Sequence, residues 1–124
     1  MAIYYEKRKT KAELMENLPA DAIQESARLV GVATLQYRLK GGGFGVMYHW
    51  TEVVRTTEQG ILVNARGYET QTTKERINRY LPVPWQVIQN NFIWYFRNWR
   101  TEETIEFEDG MIVPLIGSPY NPEV

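Results

Sequence analysis

Cysteine is absent from the 124 residues. That excludes disulfides, thiol nucleophiles, redox pairs and every cysteine-ligated zinc site. Histidine occurs once, at His49, with no cluster of carboxylates beside it in the chain, so the sequence predicts no metal and no cofactor. Neither sign of charge prevails: 14 Lys and Arg stand against 15 Asp and Glu, a formal net charge of −1. No overall basic field therefore announces nucleic acid or a membrane surface. Long hydrophobic runs are also missing. No window approaches the ~18 apolar residues of a membrane span, and no signal-peptide-like apolar stretch follows Met1. The expectation is a soluble cytoplasmic protein without membrane contact.

What is present suits one folded domain. Hydrophobic residues make up 44% and aromatics 13%, too rich for a disordered chain. A chain of this length buries roughly two-thirds of its extended surface, enough for a core without staples. Residues 1–9 carry Lys7, Arg8 and Lys9 without periodicity and read as a flexible basic arm. Residues 10–116 read as a single α+β domain, and 117–124, with two prolines, as a loose tail.

Thr10-Lys11-Ala12-Glu13 has the spacing of a capping box and opens a short helix through Leu14, Met15 and Leu18. Pro19 suits the first turn of a second helix through Ala20–Ala27. From Leu29 the period becomes two: Leu29, Gly31, Ala33, Leu35, Tyr37 and Leu39 share a face, predicting one half-buried strand. After Gly41-Gly42-Gly43, residues 46–55 predict a strand apolar on both faces, and Ile61, Val63 and Ala65 a third strand. Thr72-Thr73-Lys74-Glu75 repeats the capping-box spacing and predicts a helix near 73–81, with Thr72 as N-cap and Ile77, Tyr80 and Leu81 facing inward. Beyond Pro82 and Pro84, two hairpins are predicted, turning at Asn90-Asn91 and at Asp109-Gly110. The fold class is thus α+β: an antiparallel, twisted or partly closed sheet of about six to seven strands, with an N-terminal helical segment and one inserted helix.

Few residues offer chemistry. His49 is predicted mid-strand between Tyr48 and Trp50, where a packed structural histidine is the plainer reading than a general base. The triple glycine lacks a following Gly-Lys-Ser/Thr and leads into a strand, so it reads as a hairpin turn and not a phosphate loop. No catalytic residue is assigned, and a non-enzymatic protein is expected. The densest signal is aromatic: Trp85, Phe92, Trp94, Tyr95, Phe96 and Trp99 lie within fifteen residues. Phe92, Trp94 and Phe96 alternate onto one face; Ile93, Tyr95, Arg97 and Trp99 onto the other, which either binds a partner or lies under the N-terminal helices. Residues 102–109 hold Glu102, Glu103, Glu106, Glu108 and Asp109 without a cation. Tyr95, Arg97, Trp99 and this acidic run are candidate protein-binding residues. Lys7, Arg8, Lys9 and Lys11 are candidate nucleic-acid contacts.

The run from Gly67 through Thr72-Thr73-Lys74-Glu75-Arg76-Ile77-Asn78 to Pro82, with Val87-Ile88-Gln89, Trp94-Tyr95 and Phe107-Glu108-Asp109-Gly110-Met111 behind it, resembles small accessory proteins of bacteriophages and other mobile elements. The resemblance spans residues 45–115 and leaves the N-terminal helices outside. It implies a phage context and the host cytosol, and it transfers no catalytic residue, because the group has no assigned activity. The resulting expectation is an inhibitor or adaptor that docks a protein partner. A nucleic-acid binder using the basic arm and exposed aromatics, or a virion subunit, is the alternative, and a homo-oligomer is compatible with each.

Overall fold

The computed structural model describes residues 10–123; the basic arm expected over 1–9 lies outside the described residues. Helix α1 (Lys11–Met15) begins on the predicted capping box. The Glu13 N–H donates to Thr10 Oγ1 at 3.2 Å, and the Thr10 N–H donates to Glu13 Oε1 at 3.3 Å. The second helix shrinks to a 3-10 turn at Gln24–Ser26. A sheet claims its backbone instead: the Ile23 N–H donates to the Arg38 carbonyl and the Lys40 N–H to the Asp21 carbonyl, both at 2.8 Å. With those groups paired laterally, an i→i−4 ladder has nothing to bond.

Among the described residues, nine strands form two antiparallel sheets, with no closed barrel. β1 (Arg28–Gly31), β2 (Thr34–Arg38), β3 (Phe44–Tyr48), β4 (Thr51–Thr56) and β5 (Ile61–Val63) make a meander. Helix α2 (Gln71–Asn78) follows, then β6 (Trp85–Asn90), β7 (Ile93–Asn98), β8 (Thr104–Glu106) and β9 (Met111–Val113). The first sheet runs β1-β2-β3-β4-β5-β9 and the second β6-β7-β8. Two stretches predicted as single strands are therefore hairpins. Their turns place Ala33 and His49 at φ 50° and 53°. A turn of two residues leaves a period-two pattern in phase, so alternation runs through the reversal unmarked.

The Asp109-Gly110 turn joins two sheets and not one hairpin, since β8 pairs with β7 and β9 with β5. Asp109 accepts from the Ala65 and Arg66 N–H groups at 2.7 and 3.0 Å, while the Gly110 N–H donates to the Val63 carbonyl. The segment after residue 116 is held where a loose tail was expected. Tyr120 exchanges both backbone bonds with Ile112, at 2.8 and 3.0 Å. Ser118 donates to Glu103, Asn121 Nδ2 to Glu108, and Trp85 Nε1 to the Gly117 carbonyl. Pro119 and Pro122 cannot donate, so pairing stops at that single residue and no strand pattern marks it.

The six-stranded sheet separates two cores. Leu35, Tyr37 and Met47 face Leu14, Ala22 and Ala27 of the N-terminal segment. On the other face Val46, Val54 and Val63 pack with Ile77 of α2 and with Trp85, Val87, Trp94, Phe96 and Phe107 of the second sheet region. The helix N-cap is Thr70, not Thr72: the Thr73 N–H donates to Thr70 Oγ1 at 3.2 Å. Thr73 lies four residues before Ile77 on the buried face, so helix must already exist there. Thr70→Ala is expected to cost about 1 kcal/mol in chemical denaturation, and Thr72→Ala close to nothing. Equal effects of the two would refute this cap.

Candidate functional site

The β6–β7 hairpin turns on Asn91 and Phe92, with φ of 51° and 66°. Two positive central angles define the type I′ turn that matches strand twist. Asparagine tolerates this conformation; a bulky side chain loses about 1–2 kcal/mol in it. Phe92 gains nothing from packing in return, because its side chain is 91% exposed at the tip. The turn sits one residue later than predicted, which detaches Phe92 from the face of Trp94 and Phe96, both fully buried.

The outer face of the three-stranded sheet follows from its register. Gln86 and Arg97 stand beside Thr104, Ile88 and Tyr95 beside Glu106, and Asn90 beside Ile93. Ile88, Tyr95 and Arg97 are half-buried, and the surrounding residues are exposed. The N-terminal segment, one predicted cover, packs on the far side of the other sheet. An apolar centre of Ile88, Ile93 and Tyr95 thus runs into the Phe92 tip, with a guanidinium at the opposite end.

The predicted binding residues divide. Tyr95, Arg97 and Glu106 share this face, and Arg97 bonds Glu102 at 3.3 Å. Trp99 lies past the end of β7, 53% exposed, with the Arg100 guanidinium 5.2 Å from its ring centroid. Glu103 and Glu108 hold the C-terminal segment, and Asp109 caps the end of β5, so these three serve the fold. Lys11 is exposed in the first turn of α1; Lys7, Arg8 and Lys9 lie outside the described residues. A turn one residue later frees Phe92 from the strand, while Ile88 lies on the face of Ile93 and Tyr95 with either turn, a place that strand alternation alone could have given it.

His49 sits in the β3–β4 turn, not mid-strand, its ring 4.4 Å from Tyr48 and 5.7 Å from Trp50 between centroids. The glycines connect β2 to β3 as a turn, as predicted, with φ of 100° at Gly42 and 80° at Gly43.

A polar cluster lies under the N-terminal segment. Tyr37 donates its hydroxyl to Glu52; Arg55 Nε donates to Glu52 at 2.6 Å, and both Nη groups donate to Asp21 at 2.6 and 2.9 Å. Burial, then the Glu52 bond, pushes the Tyr37 hydroxyl well up, so it stays protonated. The Arg55 bonds hold the Asp21 carboxyl below its ordinary 3.8. A depressed carboxyl stabilises the fold above its unfolded value, and the gain disappears as pH falls through the folded value. Acidification below pH 3.8 should therefore loosen the N-terminal segment first. NMR shifts of Leu14 and Ala27 would report it, and Asp21→Asn should abolish that part of the acid transition. An unchanged transition in Asp21→Asn would refute the role.

A protein-family comparison decides the lineage. The model described as Kyanoviridae Gp96 protein, a phage protein family, matches residues 12–114. The chain belongs to that family. The Kyanoviridae Gp96 match opens inside α1 and closes just past β9, so the N-terminal segment, which the resemblance over 45–115 left out, is part of the family unit. No curated protein and no solved structure matches the chain. Among the described residues of this Gp96-family chain, no helix is long and apolar enough to cross a membrane.

Proposed function

We propose that this phage-family protein is a non-enzymatic accessory protein that docks a protein partner, as inhibitor or adaptor, through the tip and outer face of the β6–β7 hairpin. Phe92 carries the reading. It occupies a backbone conformation that disfavours it and presents its ring to solvent, so neither turn geometry nor core packing accounts for a phenylalanine there. Tyr95, Ile88 and Ile93 supply an adjoining surface with Arg97 and Glu106 at its margins, the aromatic-and-arginine composition of a protein interface.

Phe92→Gly creates an Asn-Gly pair, the preferred type I′ sequence. The substitution should raise stability by about 1 kcal/mol through relief of the left-handed residue. It should also abolish capture of host and phage proteins that purified wild-type chain retains reproducibly. Capture that survives Phe92→Gly combined with Tyr95→Ala would refute the hairpin surface. Fluorescence anisotropy with labelled single- and double-stranded oligonucleotides, from ~50 to ~200 mM salt, tests the nucleic-acid alternative. No complex tighter than micromolar is expected. A steep salt slope that flattens when Lys7, Arg8, Lys9 and Lys11 are neutralised would replace the protein partner with nucleic acid.

A further inference from the structure

β1 is the terminal strand of the six-stranded sheet, paired with β2 on one side and with no described strand on the other. Its sequence, Arg-Leu-Val-Gly followed by Val32, contains no proline and no acid. Leu29 is 49% and Val32 55% exposed. Edge strands are ordinarily guarded by charge, proline or a covering element, and an apolar edge invites another strand.

The surroundings of this edge select by charge. A register shift between Leu29 and Gly31 turns Gly31 onto the α2 side, where Arg28 also points. The Arg76 guanidinium lies flat on that glycine: a Cβ there would meet its Cζ and Nη2 at 3.2 Å. Arg76 is fixed by Thr34 Oγ1 at 2.9 Å and Glu75 at 3.4 Å. Arg38, two residues beyond the partner of Arg28, is on the same face of β2, and Tyr80 donates to Gln36 between them. Arg79 flanks that tyrosine and shares Glu75 with Arg76. Arg28 and Arg38 make no ion pair among the described residues. Arg28 on β1 and Arg76 against Gly31 thus stand on the α2 side of the edge, with Arg38 on the same face of β2 and Arg79 sharing one carboxylate with Arg76. Glu25, in the turn before β1, is exposed and bonds none of them.

We propose that the free edge of β1 accepts an extended acidic segment of a partner protein as an added strand. Backbone hydrogen bonds provide the attachment, and carboxylates at alternate positions face Arg28, Arg38 and the α2 arginines. A second copy is the poorer occupant, since pairing two β1 edges about a dyad gathers both sets of arginines. The site is separate from the hairpin surface and does not rest on it.

The test uses the full ¹⁵N-labelled chain and two blocked octapeptides, one alternating Glu with Thr and one alternating Lys with Thr. The Glu-Thr peptide is expected to shift and protect from exchange the amides of residues 28–31. Binding should weaken about tenfold in Arg28→Glu/Arg38→Glu, through like-charge repulsion, and stay unchanged in Phe92→Gly. Arg28→Gln/Arg38→Gln replaces the reversal if that variant misfolds, with a smaller loss in the same direction. Equal binding of the Lys-Thr peptide, perturbation elsewhere, or no saturation at millimolar peptide would overturn the proposal. So would peptide-free self-association protecting the same amides, or a single-stranded oligonucleotide that outcompetes the acidic peptide.

Discussion

Asn78→Ala is expected to lower stability by about 2–4 kcal/mol, because it unpairs both polar groups of one backbone residue. The Asn78 amide donates through Nδ2 to the Val87 carbonyl at 3.0 Å and accepts through Oδ1 from the Val87 N–H at 2.7 Å. Val87 lies on β6, whose other side is paired with β7, so this asparagine acts as one residue of a missing neighbour strand. It also fixes α2 against the second sheet, beside buried Ile77. Alanine leaves a donor and an acceptor in a region where water has limited access. Against a total of about 5–15 kcal/mol for a domain, that loss should be plain in urea denaturation. A change below about 0.5 kcal/mol, the usual range for surface substitutions, would show that the clamp contributes nothing.

Asn78→Asp separates the two bonds. An ionised carboxylate still accepts from the Val87 N–H but confronts the Val87 carbonyl without a proton to offer. The protonated acid can make both bonds, so the folded-state pKa of this aspartate should rise. The sign follows: the variant gains stability below the unfolded carboxyl value and loses it as pH climbs through the raised folded value. A stability that instead increases with pH across the acidic range would contradict the geometry.

Features written in short-range order were legible. The Thr10–Glu13 box needs only residues three apart. The inward face of α2, the aromatic hairpin and the antiparallel α+β class follow from period and turn residues. What escaped depends on distant partners. Pro19 permits a helix, but the sheet's claim on Ile23 and Asp21 is made by Arg38 and Lys40, fifteen and nineteen positions away, so local propensity could not register it. Asp109-Gly110 looks the same whether the chain reverses into its own hairpin or crosses to another sheet; Ala65 and Arg66 decide which. In the candidate site, the aromatic run located the β6–β7 hairpin as an element. The position of the turn within Asn90-Asn91-Phe92 determined which ring reached solvent, and two adjacent asparagines left that ambiguous. Arg76 gave no signal at all, because its burial depends on a bulge and a glycine in a strand 45 residues earlier, at Gly31.

Gly45→Ala is expected to lower stability by about 3–5 kcal/mol, the sum of an overpacking cost and a lost bond to a charged group. Gly45 in β3 stands between Tyr37 and Arg55 on the neighbouring strands. A methyl group there would meet Tyr37 Cε2 at 2.6 Å, Tyr37 Cζ at 2.8 Å and Glu52 Oε2 at 2.8 Å. The ring cannot yield cheaply: Tyr37 is 1% exposed, packed with Leu14, Leu35 and Met47, and its hydroxyl is bonded to Glu52. Overpacking of this kind costs about 1–3 kcal/mol, and a lost bond to a charged group adds about 1.5–3. Displacing Glu52 also disturbs Arg55 and, through it, the clamp on Asp21, so damage should spread to the docked N-terminal segment. Hydrogen exchange can follow this at the Ile23 and Lys40 amides, which bond across to Arg38 and Asp21. Tyr37→Leu removes the ring atoms that clash, and Gly45→Ala should cost much less in that background, a coupling expected of residues in contact. Additive losses in the double variant would mean that Gly45 is required for a reason other than the Tyr37 ring.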